Sequence, residues 1–306
     1  MNTLQEDLDL VTQLFDYEGF INKKMTSQQV KRYFQMTAFF YRQFHSKQGA
    51  MHFPLYLEGG ADNHYDALHT QANYISSLIE THQLTRSLEI GCGMGFNSLL
   101  LAKKHPHTKF KGLDPALSHL RFARKKSKGI ANLSYAPGDW HEPTYWTSPS
   151  DLMYAVESFC YITDLEKVLQ SIAQNLDSSG HFVVFDAFCL PQLEESIPEL
   201  KQAIQLSAAA FAVKAWWNVE EVISEARKQG LKLVSKQDLS NEVMPNLLRF
   251  QKDTRALFQK KWFQYLLKNR LLPNIWIGHL IGGLLGAHTL GSKAQGYFYL
   301  HFQKEN

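Results

Sequence analysis

Glu89 and the glycines at 91, 93 and 95 stand within seven residues, in Leu88-Glu-Ile-Gly-Cys-Gly-Met-Gly-Phe-Asn-Ser98. Glycines let a backbone approach a ligand closely, and a helix opening behind them offers unpaired N–H groups to a carboxylate or phosphate. The spacing is not that of a dinucleotide loop, whose third glycine would fall where Phe96 stands, and no Gly-Lys-Ser/Thr follows. Nineteen residues after Gly95 comes Asp114, ahead of Pro115, with a carboxylate able to accept both hydroxyls of a ribose. Gly138-Asp139-Trp140 adds a third carboxylate, suited to an adenine amino group, and an indole that can stack on a base. Downstream, Val156-Glu-Ser-Phe-Cys-Tyr161 brings Glu157 and Tyr161 close together in the chain. His52, His64 and Glu157 are the groups suited to removing a proton; Phe159, Tyr161, Trp216 and Trp217 could stabilise a developing cation. The thirteen histidines show no His-Glu-x-x-His or other ligand spacing, so no metal is expected.

In an open parallel sheet, ligands bind at the carboxyl ends of the strands. The chain supplies such strands at Ser87–Ile90, Phe110–Leu113, Leu133–Ala136, Leu152–Val156 and His181–Phe185. Helices of about ten to fifteen residues separate them, at Ala116–Ser127 and around Leu165, Val168, Leu169, Ile172 and Leu176. That alternation predicts an α/β fold with right-handed crossovers. The order changes after residue 185. An Ala-rich insertion (192–217) precedes a helix over Val219–Gln229, a strand at Leu231–Ser235, and roughly 60 further residues before a last strand, Tyr297–Phe302. The first 80 residues read as helical. Ser27 is placed to cap a helix carrying Tyr33, Phe40 and Tyr41, and a second helix sets Tyr65, Leu68, Ala72, Ile75 and Ile79 on one face.

Glu89, the three glycines, Asp114 and Asp139, each at a strand end in the right order, resemble the class I S-adenosylmethionine-dependent methyltransferases over roughly residues 85–190. The resemblance implies a Rossmann-like seven-stranded, mostly parallel sheet with an antiparallel last strand, plus a helical cap. It assigns S-adenosylmethionine to Glu89, Gly91, Cys92, Gly93, Gly95, Asn97, Asp114, Pro115, Gly138, Asp139, Trp140, Val156 and Glu157. The stretch Tyr33 to Tyr41, Gly49-Ala-Met-His52-Phe53 and Ala155–Asp164 is similar to the sterol, tocopherol and quinone-biosynthesis C-methyltransferases. By that likeness the N-terminal helix closes over the cofactor, with Tyr33, Tyr41 and His52 as lid contacts and Tyr33 and Tyr41 among the residues that bind S-adenosylmethionine. The expected organisation is a lid over 1–82 and a methyltransferase domain over 83–306, with insertions at 192–217 and 240–292. The expected reaction is in-line methyl transfer to a small lipophilic acceptor, C-methylation ahead of O-methylation. The alternatives are an RNA methyltransferase or a catalytically silent S-adenosylmethionine-binding interaction protein.

With 306 residues, 44% of them hydrophobic and 20% charged, the chain is neither disordered nor low in complexity. Thirty-two Lys and Arg against 29 Asp and Glu leave a net charge of +3, and no RNA-binding module is visible, so no nucleic-acid partner is expected. Three scattered cysteines and an acidic start without an apolar stretch point to a reduced, cytoplasmic setting. Residues 271–292 lack formal charge but hold Pro273, Asn274, His279 and His288, so they are not read as a membrane span. Gly278, Gly282 and Gly286 recur at helical spacing, which suits close packing against the lid or a homodimer partner. Lysines interleaved with Trp262 and Phe263 admit peripheral membrane contact through residues 255–292.

Overall fold

The computed structural model describes residues 3–15, 46–57, 63–141, 146, 149–269 and 271–305. Its centre is a seven-stranded sheet of β1 (Arg86–Ile90), β2 (Lys109–Asp114), β3 (Leu133–Pro137), β4 (Ser150–Val156), β5 (Leu176–Cys189), β6 (Leu231–Asp238) and β7 (Gln295–Lys304). The spatial order is β3-β2-β1-β4-β5-β7-β6. The first five strands run parallel, and β7 is antiparallel to both β5 and β6. The chain therefore has the Rossmann-like α/β architecture with the reversed strand near one edge. In β4, every residue from Leu152 to Val156 is buried, as a central strand covered on both faces requires. Register aligns the functional ends: Ile90 lies opposite Leu113, and Val156 opposite Phe185.

Strand β5 is far longer than the expected His181–Phe185. Asp177-Ser-Ser-Gly180, which reads as a turn, is absorbed as an irregularity where the pairing with β4 shifts between Ser150 and Leu152. The helix expected to carry Tyr65 through Ile79 is two, α2 (His64–Ala67) and α3 (Thr70–His82). The Ala67 carbonyl, which a continuous helix would give to Gln71, instead accepts from Leu55 N at 2.9 Å. Tyr65 is thereby left 48% exposed, while Ala72, Ile75 and Ile79 pack on the sheet with Leu101, Phe110, Tyr154 and Phe185. The core thus runs unbroken past residue 82. On the flanks lie α4 (Phe96–Lys104), α5 (Leu117–Lys126), α6 (Leu165–Asn175), α7 (Pro198–Ala210) and α8 (Val219–Lys228).

A second layer of helices covers one end: α9 (Ser240–Phe258), α10 (Lys261–Lys268) and α11 (Asn274–Leu290), joined by α7 and by α1 (Leu4–Leu14). Leu8, Val11, Ala203, Leu206, Phe258 and Ile281 form its separate core. The glycine repeat of α11 is used inside the chain. A Cβ on Gly278 would lie 2.7 Å from the Ala210 carbonyl oxygen, one on Gly282 would strike the Phe211 ring, and one on Gly286 would meet Leu247 at 3.2 Å. Among the described residues, no helix is long and apolar enough to cross a membrane.

Candidate active site

The carboxyl ends of β1, β2, β4 and β5 converge on the glycine loop. Gly91, Gly93 and Gly95 all have positive φ, where side chains are strained. Contacts close the loop as well: a Cβ on Gly91 would run into Ser158, and one on Gly95 into the Tyr135 hydroxyl. Tyr135 donates to the Gly95 carbonyl (3.2 Å), and Ser158 Oγ donates to the Ile90 carbonyl (2.6 Å). Met51, from the segment before β1, lies over Gly93.

Asp114 is 6% exposed at the tip of β2. Its Oδ2 accepts from Gly93 N at 2.9 Å, its Oδ1 accepts from Ala116 N at 2.8 Å, and His119 Nδ1 stands 3.1 Å away. The carboxylate thus ties the loop to the start of α5. Pro115 beside it is half-buried. Glu89 is 3% exposed, and one oxygen accepts from the Ser98 amide, the Ser98 hydroxyl and the Tyr154 hydroxyl. Burial pushes its carboxyl up to about 7. Asn97, buried in the first turn of α4, lies beside this carboxyl and favours its charged form. Cys92 contributes backbone: its amide donates to Leu113 O, while its thiol lies beside Tyr135, raised well above the ordinary range by burial.

After β3, Gly138 is buried and Asp139 keeps 21% side-chain exposure, accepting from His141 N at 2.8 Å. Trp140 departs from expectation. Its indole is 4% exposed, packed edge-on to Trp146 and Phe159, and its Nε1 donates to the Ser158 carbonyl at 2.8 Å. It is a core strut linking the turns after β3 and β4, not an open stacking face.

Beyond Val156, Glu157 adopts φ +50 at the tip of β4 and remains partly exposed. Its Oε1 accepts from Phe53 N at 2.6 Å and from the Tyr297 hydroxyl at 2.9 Å. Removal from water, with a further push from nearby Asp186, raises the Glu157 carboxyl to about 8. Asp186 is itself buried and raised to about 7, accepting from Cys160 N at 2.9 Å and Ala187 N at 2.8 Å. Tyr297 and Asp186 went unmarked in the sequence. An acidic residue directly after the apolar run 181–185 was a signal for the second; Tyr297 depends on the register of β7, which places it opposite Ala187.

Next to His52, the Phe53 amide joins the segment before β1 to Glu157. His52 is 4% exposed against Phe96, and burial lowers its imidazole to about 4. His64 stands near Tyr56, its Nδ1 3.4 Å from the hydroxyl. The Tyr161 hydroxyl donates to the Phe211 carbonyl at 3.0 Å, binding the post-β4 loop to the helical layer. Tyr33, Tyr41 and the Ser27 cap lie outside the described residues. No cluster of metal-ligating side chains occurs among the described residues.

A family model described as a methyltransferase domain matches residues 81–252. A polyketide synthase of Burkholderia thailandensis is 32% identical over 123 residues, covering 39% of this chain and 6% of the synthase. A sterol 4-C-methyltransferase of Caenorhabditis elegans is 25% identical over 177 residues, 57% of this chain and 52% of that enzyme. The matches thus span about half of these curated relatives or less. The cyclopropane synthase of Mycobacterium tuberculosis superposes with a TM-score of 0.74 at 13% identity, covering 92% of this chain and all of that one, a likeness of fold.

Proposed function

The chain belongs to the methyltransferase-domain family, and from that premise we propose that it methylates a small lipophilic acceptor, at carbon, using S-adenosylmethionine. One observation carries the reading: the glycine loop Leu88–Ser98 contains no Lys or Arg, and four carboxyl groups stand around it, Glu89 and Asp114 closing β1 and β2, Glu157 just past β4, and Asp186 within β5, one residue beyond the Val156–Phe185 pair. An anion would find no cation here, whereas a bound sulfonium would favour the ionised form of these carboxyls. S-adenosylmethionine, when bound, supplies an electrophilic methyl group. Asp114 and the Gly91–Gly95 backbone are the residues that would hold it, with Asp139 at the neighbouring turn.

The chain's own part is to position the acceptor and to receive a proton. Holding an acceptor atom about 3 to 3.5 Å from the methyl carbon provides much of the rate. Methylation of an alkene or acidic carbon forms a C–C bond, breaks the C–S bond and releases a proton, and the Glu157 carboxylate is the base for it. Phe53 N and the Tyr297 hydroxyl orient that group. The lipophilic acceptor is supported by the sterol named in the nematode relative and by the apolar cluster of Cys160, Ala208, Val213, Tyr161, Phe211 and Trp216 at the post-β4 loop. The helical layer of α1, α7 and α9–α11 acts as its cap.

Calorimetry should show S-adenosylhomocysteine binding, lost in Asp114→Ala, and no binding of NAD. Incubation with methyl-labelled S-adenosylmethionine should then label the lipid fraction of a cell extract. Label in RNA alone would overturn the acceptor class, and NAD binding would overturn the cofactor.

A further inference from the structure

From Thr254 to Lys304, one sixth of the chain, there is no Asp or Glu, against seven Lys and Arg. Within this stretch α10 sorts its side chains by face. Phe263 and Leu267 are buried, with Phe263 stacked on Phe258. Trp262 and Tyr265, three residues apart, face outward at 58% and 63% exposure, and Leu271 just beyond is 60% exposed. Lys260, Lys261 and Lys268 are exposed around them.

Indole and phenol rings ringed by long cations are the side chains that settle at the headgroup level of a bilayer, with lysine stems lying along apolar surface. A second copy of the chain is a poor occupant. A two-fold contact through α10 would set these lysines against their own counterparts, and the glycine face of α11 is already filled by Ala210, Phe211 and Leu247. The patch is itself part of the cap. Gly278 of α11 abuts Ala210, and the next residue, Phe211, holds the Tyr161 hydroxyl at 3.0 Å.

We propose that α10, with Leu271 just beyond it, docks on an anionic lipid surface. The contact turns the cap toward the bilayer and would bring a lipid-dissolved acceptor to the site from that side. The docking itself stands on charge and exposure, independent of the acceptor's identity.

The test is flotation of the full chain with phosphatidylcholine vesicles, with and without phosphatidylglycerol. Binding is expected to the anionic vesicles and to weaken with salt. Each lysine removed should lower partitioning about fivefold, so Lys260→Gln/Lys261→Gln/Lys268→Gln should nearly abolish it. Trp262→Ser/Tyr265→Ser should lower it at least about tenfold. All five side chains are exposed, so both variants should keep the wild-type melting temperature and S-adenosylhomocysteine affinity. The proposal is overturned by failure of the wild type to float, by equal binding to neutral and anionic vesicles, or by variants that bind like wild type. Self-association lost in the Trp262/Tyr265 variant, without vesicle binding, would assign the patch to a second copy instead.

Discussion

Two donors converge on one oxygen of Glu157, while burial and the neighbouring Asp186 raise its carboxyl to about 8. A base must be ionised to act, so kcat/KM should climb with pH and level off above about pH 8. Glu157→Gln should lose about 100-fold or more and flatten that profile while binding S-adenosylhomocysteine normally; a variant with the same rate and profile would remove Glu157 from the chemistry. The same shift makes a stability prediction. Glu89, Glu157 and Asp186 are all raised above their ordinary carboxyl values, so their favourable, protonated state in the fold is lost as pH rises through about 7 to 8. The imidazoles of His52, His181, His279 and His301, lowered to about 4 by removal from water, act in the opposite sense, but only below their ordinary value of 6.5. Between pH 6.5 and 8 the carboxyls act alone, and the melting temperature should fall, less steeply in Glu157→Gln. At this scale the sequence revealed what is local. Glu89, the glycines and Asp114 sit within or beside short runs whose spacing alone carries meaning, whereas the burial of Trp140 depends on which way a turn throws its indole.

Helix α11 is a filled packing element, and Gly282 is its tightest point. A methyl group there would strike the Phe211 ring, and the Phe211 carbonyl is the partner of the Tyr161 hydroxyl. Gly282→Ala should therefore cost about 1–3 kcal/mol, seen as a melting temperature lower by several degrees. Displacing Phe211 should also raise KM for the acceptor while leaving S-adenosylhomocysteine affinity unchanged. If KM held while stability fell, α11 would be structural alone. The strands themselves were legible because their apolar runs and glycine breaks are contiguous. The antiparallel direction of the last strand was implied by the family resemblance, and β7 does run antiparallel to β5 and β6. Its position between β5 and β6 was not implied, and neither was Tyr297 meeting Glu157, because the 56 residues 239–294 intervene between β6 and β7 and leave the register free. The split between α2 and α3 likewise hangs on a single long-range bond, Leu55 N to Ala67 O.

The molecule joins two cores, one around the sheet and one within the helical layer, and a buried charge cluster holds the first helix to the second. Asp7 of α1 is fully buried and accepts from Arg255 of α9, Nε at 3.0 Å and a second guanidinium nitrogen besides, with His288 Nε2 of α11 2.8 Å away. Burial opposes its ionisation, but the bonds from His288 and Arg255 outweigh it and hold the carboxyl below its ordinary value. A depressed carboxyl stabilises above its ordinary range and releases that stability only as pH falls through the lowered value, so mild acid should leave the cap closed. Removing the charge should open it. Asp7→Ala leaves the largely buried Arg255 guanidinium unpaired, at a cost of about 3 kcal/mol. Because Leu8, Val11 and Leu14 bury only against the helical layer, that cost should fall on the layer and spare the sheet. Hydrogen exchange should accelerate in α1, α9 and α11 while β4 and β5 keep their protection, and acceptor turnover should drop more than S-adenosylhomocysteine affinity. Uniform acceleration across both regions would show that the two cores unfold as one, and would make the charge cluster a contributor to global stability instead of a latch on the cap.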